Sequence, residues 1–166
     1  MNRNFSSRSA IGIDFHPLKT SKKLIIGGVQ IPFAKGLDGH SDGDVLTHAI
    51  IDSILGVAAL GDIGTFFPDS NPNYHKKYSI DLLSETVKMV NHKGWYLTFL
   101  DATIIAESPK MSDHIKKIKT TISSVIKINY DEISIKATST NGLGFIGKQE
   151  GIAAIAIATA EKNLND

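Results

Sequence analysis

A chain of 166 residues suffices for one compact domain that buries about 68–70% of the surface its unfolded form exposes. Its 42% hydrophobic and 21% charged residues are ordinary for a globular protein, and 18 Lys and Arg against 17 Asp and Glu leave a net charge of +1, too little to attract nucleic acid or an acidic membrane surface. With no cysteine, disulfides, thiolate metal sites and a cysteine nucleophile are excluded, so any metal must be held by His, Asp or Glu.

No apolar run approaches the ~18–20 residues that span a bilayer, and the first nine residues lack the hydrophobic stretch of a signal peptide. Residues 1–9 are expected as a flexible N-terminal extension, 10–162 as the single domain and 163–166 as a short tail. The default location is the bacterial cytoplasm, with Arg3 and Arg8 among serines leaving an organellar one open.

Residues 10–16 alternate around Ile11, Ile13 and Phe15, and residues 23–31 hold Leu24, Ile25 and Ile26 before two glycines; each predicts a strand. A Gly- and Asp-rich loop over 36–43 feeds a helix that begins near Asp44, carries Val45, Ala49, Ile50, Ile54 and Val57 on one side, and ends near Gly61. Residues 61–78 are too long and too rich in Gly, Pro, Asn and Asp for a simple connection and predict a functional loop. Ser79 reads as the N-cap of a helix through Leu82, Leu83, Val87 and Val90 that stops at Gly94. Residues 96–106 predict a long strand, and Ser112 reads as the cap of an amphipathic helix through Ile115, Ile118, Ile122 and Val125. Its Lys116, Lys117 and Lys119 lie away from the apolar stripe, as a solvated face does. Residues 133–138 and 151–159 complete the strands. The mixed order predicts an α+β domain, a mixed sheet with helices packed on one face.

Chemistry concentrates in two places. Asp14 and His16 are two apart on a predicted strand, so both leave the same face. By itself such a pair is more often an ordinary strand end, by roughly four to one. The run from His40 through Ser41, Asp42, Gly43 and Asp44 to His48 packs five potential ligands or proton carriers into a loop-to-helix transition, with Asp52 one turn beyond His48. Individually, Asp44 reads as an N-cap and Asp42 as a loop solubiliser. His48 lies beside Val45 and Ala49, faces inward and needs a partner. Asp14, His16 and His48 form a two-His, one-carboxylate set that suits zinc with one open position, and equally non-haem iron. The glycine-rich turns at 36–43 and 137–147 offer backbone N–H groups to a phosphate, which favours phosphate chemistry, although they match no established nucleotide fingerprint.

Six ordered blocks carry a resemblance: Ile11-Gly12-Ile13-Asp14-Phe15-His16, Gly27-Gly28-Val29-Gln30-Ile31-Pro32, His40-Ser41-Asp42-Gly43-Asp44, Leu60-Gly61-Asp62-Ile63-Gly64 with Phe67-Pro68-Asp69, Ala106-Glu107-Ser108-Pro109-Lys110-Met111, and Lys136-Ala137-Thr138-Ser139-Thr140 with Leu143-Gly144-Phe145. From about residue 10 to 162 the chain resembles the 2-C-methyl-D-erythritol 2,4-cyclodiphosphate synthase family of the non-mevalonate isoprenoid pathway. The resemblance implies a homotrimer with an active site at each subunit interface. The substrate it implies is 4-diphosphocytidyl-2-C-methyl-D-erythritol 2-phosphate, cyclised with release of CMP. It implies Zn²⁺ on Asp14, His16 and His48, and a second divalent ion, Mg²⁺ or Mn²⁺, with the diphosphate. His40 and Ser139 match the positions assigned to transition-state stabilisation. Ser41 and the turn Asp62, Ile63, Gly64 match the phosphate and erythritol contacts, and Phe67 to Asp69 a mobile flap. The stretch from Ala106 through Pro109, Lys110 and Met111 to Ser112, with Thr138, matches the cytidine pocket, while Thr140, Asn141, Phe145 and Lys148 complete the substrate-binding set.

Two positions depart from the family. Asn141 stands where a Glu commonly binds the second metal, and Lys148 where an Arg is usual near the trimer axis, which implies looser hold on that cation and on any axial anion. Two further readings use the same residues: an iron oxygenase on the same three ligands, and a non-catalytic metal- or nucleotide-binding trimer.

Overall fold

Along Phe5–Lys19 the side chains alternate between two environments, with Gly12 and Leu18 buried and Asp14 and His16 half-buried on one face, and Ile11, Ile13 and Phe15 exposed on the other. This is strand β1 in a computed structural model that describes residues 5–39, 41–68, 70, 71, 74 and 77–164. After it come β2 (Leu24–Ile26), β3 (Val29–Ile31), β4 (Gly36–Leu37), α1 (Val45–Val57), α2 (Ile63–Phe66), α3 (Ser79–His92), β5 (Tyr96–Ile105), α4 (Ile115–Ile126), β6 (Ile133–Thr138), α5 (Gly144–Gly147) and β7 (Gly151–Asn163). The result is a single α+β domain. Five strands form a mixed sheet in the order β4-β1-β7-β5-β6, in which only β5 and β6 run parallel.

One face of that sheet is covered. The even-numbered residues of β7 from Ile152 to Ala160 and Leu100, Ala102 and Ile104 of β5 are buried, and α1 lies directly on β1 and β7, with α3 packed on α1 and α4 on β6. The small residues Gly12, Ala154, Ala156 and Ala158 explain the close approach. A Cβ on Gly12 would stand 2.0 Å from the carbonyl oxygen of Ala49 and 2.6 Å from the amide of Ser53, both backbone atoms of α1. The opposite face is open, with Ile11 58%, Phe15 56% and Ile157 40% exposed beside the polar pairs Ser9–Thr159 and Asp101–Lys136.

Several expectations are corrected. Phe5 to Ser9, expected in a flexible extension, belong to β1 and pair with Thr159 to Asn163 of β7, which runs one residue into the expected tail. The single strand expected over 23–31 is a separate hairpin, β2 and β3, because Gly27 and Gly28 both take positive φ (58° and 72°), the mirror-image turn that two-residue hairpins require. Ser79 is the first residue of α3 and not its cap, since the cap position, Tyr78, makes no side-chain cap bond. Ser112 likewise precedes α4 by three residues, and its hydroxyl donates to Asp113 at 3.1 Å. The helix cap at Asp44 is as read: its side chain accepts from the amide and hydroxyl of Thr47 at 3.0 and 2.8 Å.

Replacing Gly12 with Ala should force α1 away from β1 and cost about 3 kcal/mol as an overpacked contact against backbone that cannot rotate aside. Urea unfolding measures this, and an unchanged midpoint would refute the close-approach account.

Candidate metal centre and substrate cavity

Asp14 and His16 leave β1 on the face that α1 covers, and His48 sits one turn into α1 directly above them. The three side chains converge. Nε2 of His16 lies 3.1 Å from Nδ1 of His48, which lies 3.1 Å from Oδ2 of Asp14, and the third edge, Nε2 of His16 to Oδ2 of Asp14, is 3.5 Å. Among the described residues this is the group of His and acidic side chains arranged to hold a metal ion. Their side chains remain 12–23% exposed, so an ion held there would keep a position open to a ligand from solution.

The outer contacts fix which ring nitrogens face inward. Nδ1 of His16 lies 2.7 Å from the carbonyl oxygen of Phe15, which can only accept, so that nitrogen carries the proton and Nε2 presents its lone pair. Nε2 of His48 lies 2.9 Å from each of the hydroxyls of Ser41 and Ser79. Ser79 gives its own hydroxyl proton to the carboxylate of Asp42, which can only accept, so its oxygen is left to accept from His48. Nδ1 of His48 then turns to Asp14 and His16 either a lone pair, in the neutral ring, or a proton given to Asp14 Oδ2, in the charged ring. Three lone pairs pointed at one another at such distances are repulsive unless a cation or a proton lies among them.

The electrostatics agree. At Asp14 burial works against ionisation, but the hydrogen bond with His48 and the positive charge of His16 and His48 outweigh it and hold the carboxyl below the ordinary carboxylate range. At His48 burial disfavours the charged ring, yet the bond to Asp14 and the charges of Asp14, Asp44 and Asp42 outweigh it and raise its pKa. Asp44 is fully buried, and burial pushes its carboxyl up even though it accepts from Gly27 and Gly28 at 2.8 and 2.6 Å as well as from Thr47. It thereby ties the start of α1 to the β2-β3 turn. Asp52 does not join the ligands: its half-buried carboxylate accepts from the amide of Ile63 at 2.8 Å and anchors α2 to α1.

The remaining expected residues fall into separate groups. Ala106, Pro109, Lys110, Met111, Ser112, Thr138 and Ser139 line one cavity of about 390 Å³ between the ends of β5 and β6 and the approach to α4. Glu107, within the expected stretch, lines it too, and one of its oxygens accepts from the amide of Gly142 at 3.3 Å. Thr140, Asn141, Phe145 and Lys148 follow on the adjoining loop and α5, where Asn141 takes a positive φ of 53° and its amide donates to Ser139 Oγ at 3.3 Å. Phe145 stands 6.3 Å, ring to ring, from Phe15 of β1. Asp62 caps α2, with Oδ1 accepting from the amide and hydroxyl of Thr65 at 2.9 and 2.8 Å, and Ile63 and Gly64 open that helix. Phe67, expected in a mobile flap, is buried edge-to-face against Tyr74. His40 and Asp69 lie outside the described residues.

Metal centre and cavity occupy the same end of the sheet. Phe15, Ala153, Ile105 and Thr138 form one row across β1, β7, β5 and β6, so the two sites are three strand spacings apart, about 14 Å. Ser79 and Asp42 are the contributors that sequence reasoning missed. Ser79 reads locally as a cap and Asp42 as a loop acid, and only the packing of α3 on α1 brings them to His48.

Comparison with known proteins gives a consistent picture. Residues 7–161 match the YgbB family. The 2-C-methyl-D-erythritol 2,4-cyclodiphosphate synthase of Alkaliphilus oremlandii is 53% identical over 155 residues, covering 93% of this chain and 99% of that protein, and the one of Clostridium tetani is 52% identical over 157 residues, covering 95% and 99%. Among solved structures, IspF of Plasmodium falciparum in complex with CDP superposes with a TM-score of 0.84 at 33% identity, covering 95% of this chain and 97% of that one. The bifunctional IspDF of Campylobacter jejuni superposes with a TM-score of 0.92 at 36% identity over 96% of this chain, which spans 43% of that larger protein.

In the metal-free protein a proton on His48 stabilises the fold below the ordinary imidazole value, and this contribution is lost as pH rises through the raised folded value. Asp14 acts oppositely, its contribution present above the ordinary carboxylate value and lost as pH falls through the lowered one. A divalent ion held by these three side chains would displace the His48 proton. The rise in Tm on adding zinc to metal-stripped protein should therefore be larger at about pH 8.5 than at about pH 5.5. Calorimetry checks this, and a rise that shrinks with increasing pH would contradict the shared proton-or-metal site.

Proposed function

The chain belongs to the YgbB family, and on that premise we propose that it converts 4-diphosphocytidyl-2-C-methyl-D-erythritol 2-phosphate to 2-C-methyl-D-erythritol 2,4-cyclodiphosphate with release of CMP. An oxygen of the 2-phosphate attacks the β-phosphorus, the bond from that phosphorus to the oxygen shared with the α-phosphorus breaks, and CMP departs with that oxygen. Both reacting groups belong to one molecule, so the protein need supply no nucleophile, only position and charge. The observation that carries the reading is the triangle of Asp14, His16 and His48, with edges of 3.1, 3.1 and 3.5 Å. Tetrahedral zinc with ligand bonds of about 2.0–2.1 Å spaces its ligands about 3.3 Å apart, which favours Zn²⁺ on these three donors.

Bound there, zinc supplies Lewis-acid charge to a phosphoryl oxygen. The chain's own groups do the rest. Asp14, held ionised, and the two oriented imidazoles fix the donor set, and the Ser41 hydroxyl beside His48 is available to a phosphate oxygen. His40 and Ser139 are assigned to stabilising charge in the transition state, and Asp62 with the turn Ile63 and Gly64 to the erythritol hydroxyls. The 390 Å³ cavity is assigned to the cytidine, where backbone groups near Ala106 and Met111 can read the base edge. A second divalent ion, Mg²⁺ or Mn²⁺, accompanies the diphosphate. Asn141 offers it only a neutral oxygen, and its left-handed backbone is one that Asn tolerates far better than Glu.

The assembly proposed is a homotrimer. The exposed apolar side chains Ile11, Ile13, Phe15 and Ile157 on one sheet face favour a covering partner, and a second copy is the simplest. The ~14 Å between metal centre and cavity within one chain also favours sites completed between copies. No helix of the described residues is long and apolar enough to cross a membrane. A cytoplasmic location is part of the same reading.

With the diphosphocytidyl substrate, CMP should appear in a zinc-dependent manner, and His48→Ala should lower kcat/KM by at least about a hundredfold. No CMP release by fully metallated protein would reject the reaction. Asn141→Glu should shift the Mg²⁺ activation midpoint to lower concentration, and an unmoved midpoint would remove Asn141 from the second ion's surroundings.

A further inference from the structure

Ser79 and Asp42 stand outside the ligand triangle, yet their contacts leave little freedom to His48. Ser79 is wholly buried at the start of α3. Its amide donates to Oδ2 of Asp42 at 3.1 Å, its hydroxyl donates to Oδ1 of the same carboxylate, and its oxygen lies 2.9 Å from Nε2 of His48. Asp42 also accepts from the amide of Asp44 at 3.3 Å, which holds the loop before α1 against α3. Three segments, the 41–44 loop, α1 and α3, thus meet at one hydroxyl.

We propose that the Ser79–Asp42 pair is a positioning device for the metal centre: Asp42 commits the only hydroxyl proton of Ser79, so Ser79 can only accept from Nε2 of His48, and with the Ser41 hydroxyl, also 2.9 Å from Nε2, turned to Asp42 or Ser79 at 3.4 or 3.1 Å, Nδ1 is kept as the ligating atom. This inference rests on reading Asp14, His16 and His48 as a metal site and adds two residues outside that ligand triangle. The direction of each bond matters. If Asp42 became neutral Asn, one acceptor oxygen would be replaced by an NH₂ group facing a donor. Either the amide of Ser79 would meet another N–H, or the hydroxyl of Ser79 would be offered a proton and turn its own toward His48. The second outcome moves the His48 proton to Nδ1, the atom that the ion requires free. Outer partners that orient a ligating histidine are typically worth about 10–100-fold in metal affinity.

The test uses the full chain, with zinc affinity measured by competition against a chromophoric chelator and the visible spectrum recorded after saturation with Co²⁺. Ser79→Ala and Asp42→Asn should each weaken zinc by about 10–100-fold and alter the cobalt bands, while Ser79→Thr, which keeps the hydroxyl, should stay within about threefold of the parent. A purely structural role would lower the Tm of the metal-free variants but leave the saturated cobalt spectrum unchanged, and that result overturns the proposal. So does a Ser79→Thr variant as weak as Ser79→Ala, or Ala and Asn variants that match the parent in affinity and spectrum. In those cases the metal reading survives. A parent protein that binds neither zinc nor cobalt removes both.

Discussion

The close contact between Gly12 and the backbone of α1 governs the arrangement of this molecule. A helix normally rides about 10 Å from a sheet on the side chains between them. Here a strand position without a side chain, beside the alanines of β7, lets α1 settle onto β1, with the Gly12 Cβ position only 2.0 Å from the Ala49 carbonyl. His48, one residue before Ala49, is thereby brought down onto the two side chains that follow Gly12 on the same face of β1. A methyl group at residue 12 would meet that carbonyl and press helix and strand apart, drawing His48 away from its partners.

From that contact the site follows in layers. The strand supplies two donors at fixed pitch and the helix a third. Asp44 fixes where the helix starts by collecting the amides of Thr47, Gly27 and Gly28, and so the height of His48 above the sheet. Phe15 and Ser79 hold the outer nitrogens of the two imidazoles. Each buried polar side chain among the described residues finds a partner, as a rigid and charged centre requires.

Much of this was readable in the residues. The two-residue alternation from Ile11 to His16 places Asp14 and His16 together, and the helical period from Val45 points His48 inward against apolar neighbours; both are local patterns that local rules decode. What was illegible depends on tertiary contacts. Ser79 has the composition of a cap, but its hydroxyl is drawn to Asp42 by the packing of α3 on α1, an interaction between residues 37 positions apart. The extension of β1 back to Phe5 comes from pairing with β7, which polar serines in sequence do not announce. The hairpin at Gly27 and Gly28 did carry a signal, since two glycines between short apolar runs specify a two-residue loop, and one continuous strand was the poorer reading of it. Spacing along the chain gives no reason for 106–112 and 138–139 to share a wall, which the parallel pairing of β5 with β6 brings about.

The pairing of Phe5 with Asn163 sets the two ends of the sheet hairpin side by side, nine residues of strand before Asp14. At about 3.4 Å per residue this is some 30 Å from the metal centre. Phe5 and Asn163 thus stand at the end of the sheet opposite to the one that carries the ligands.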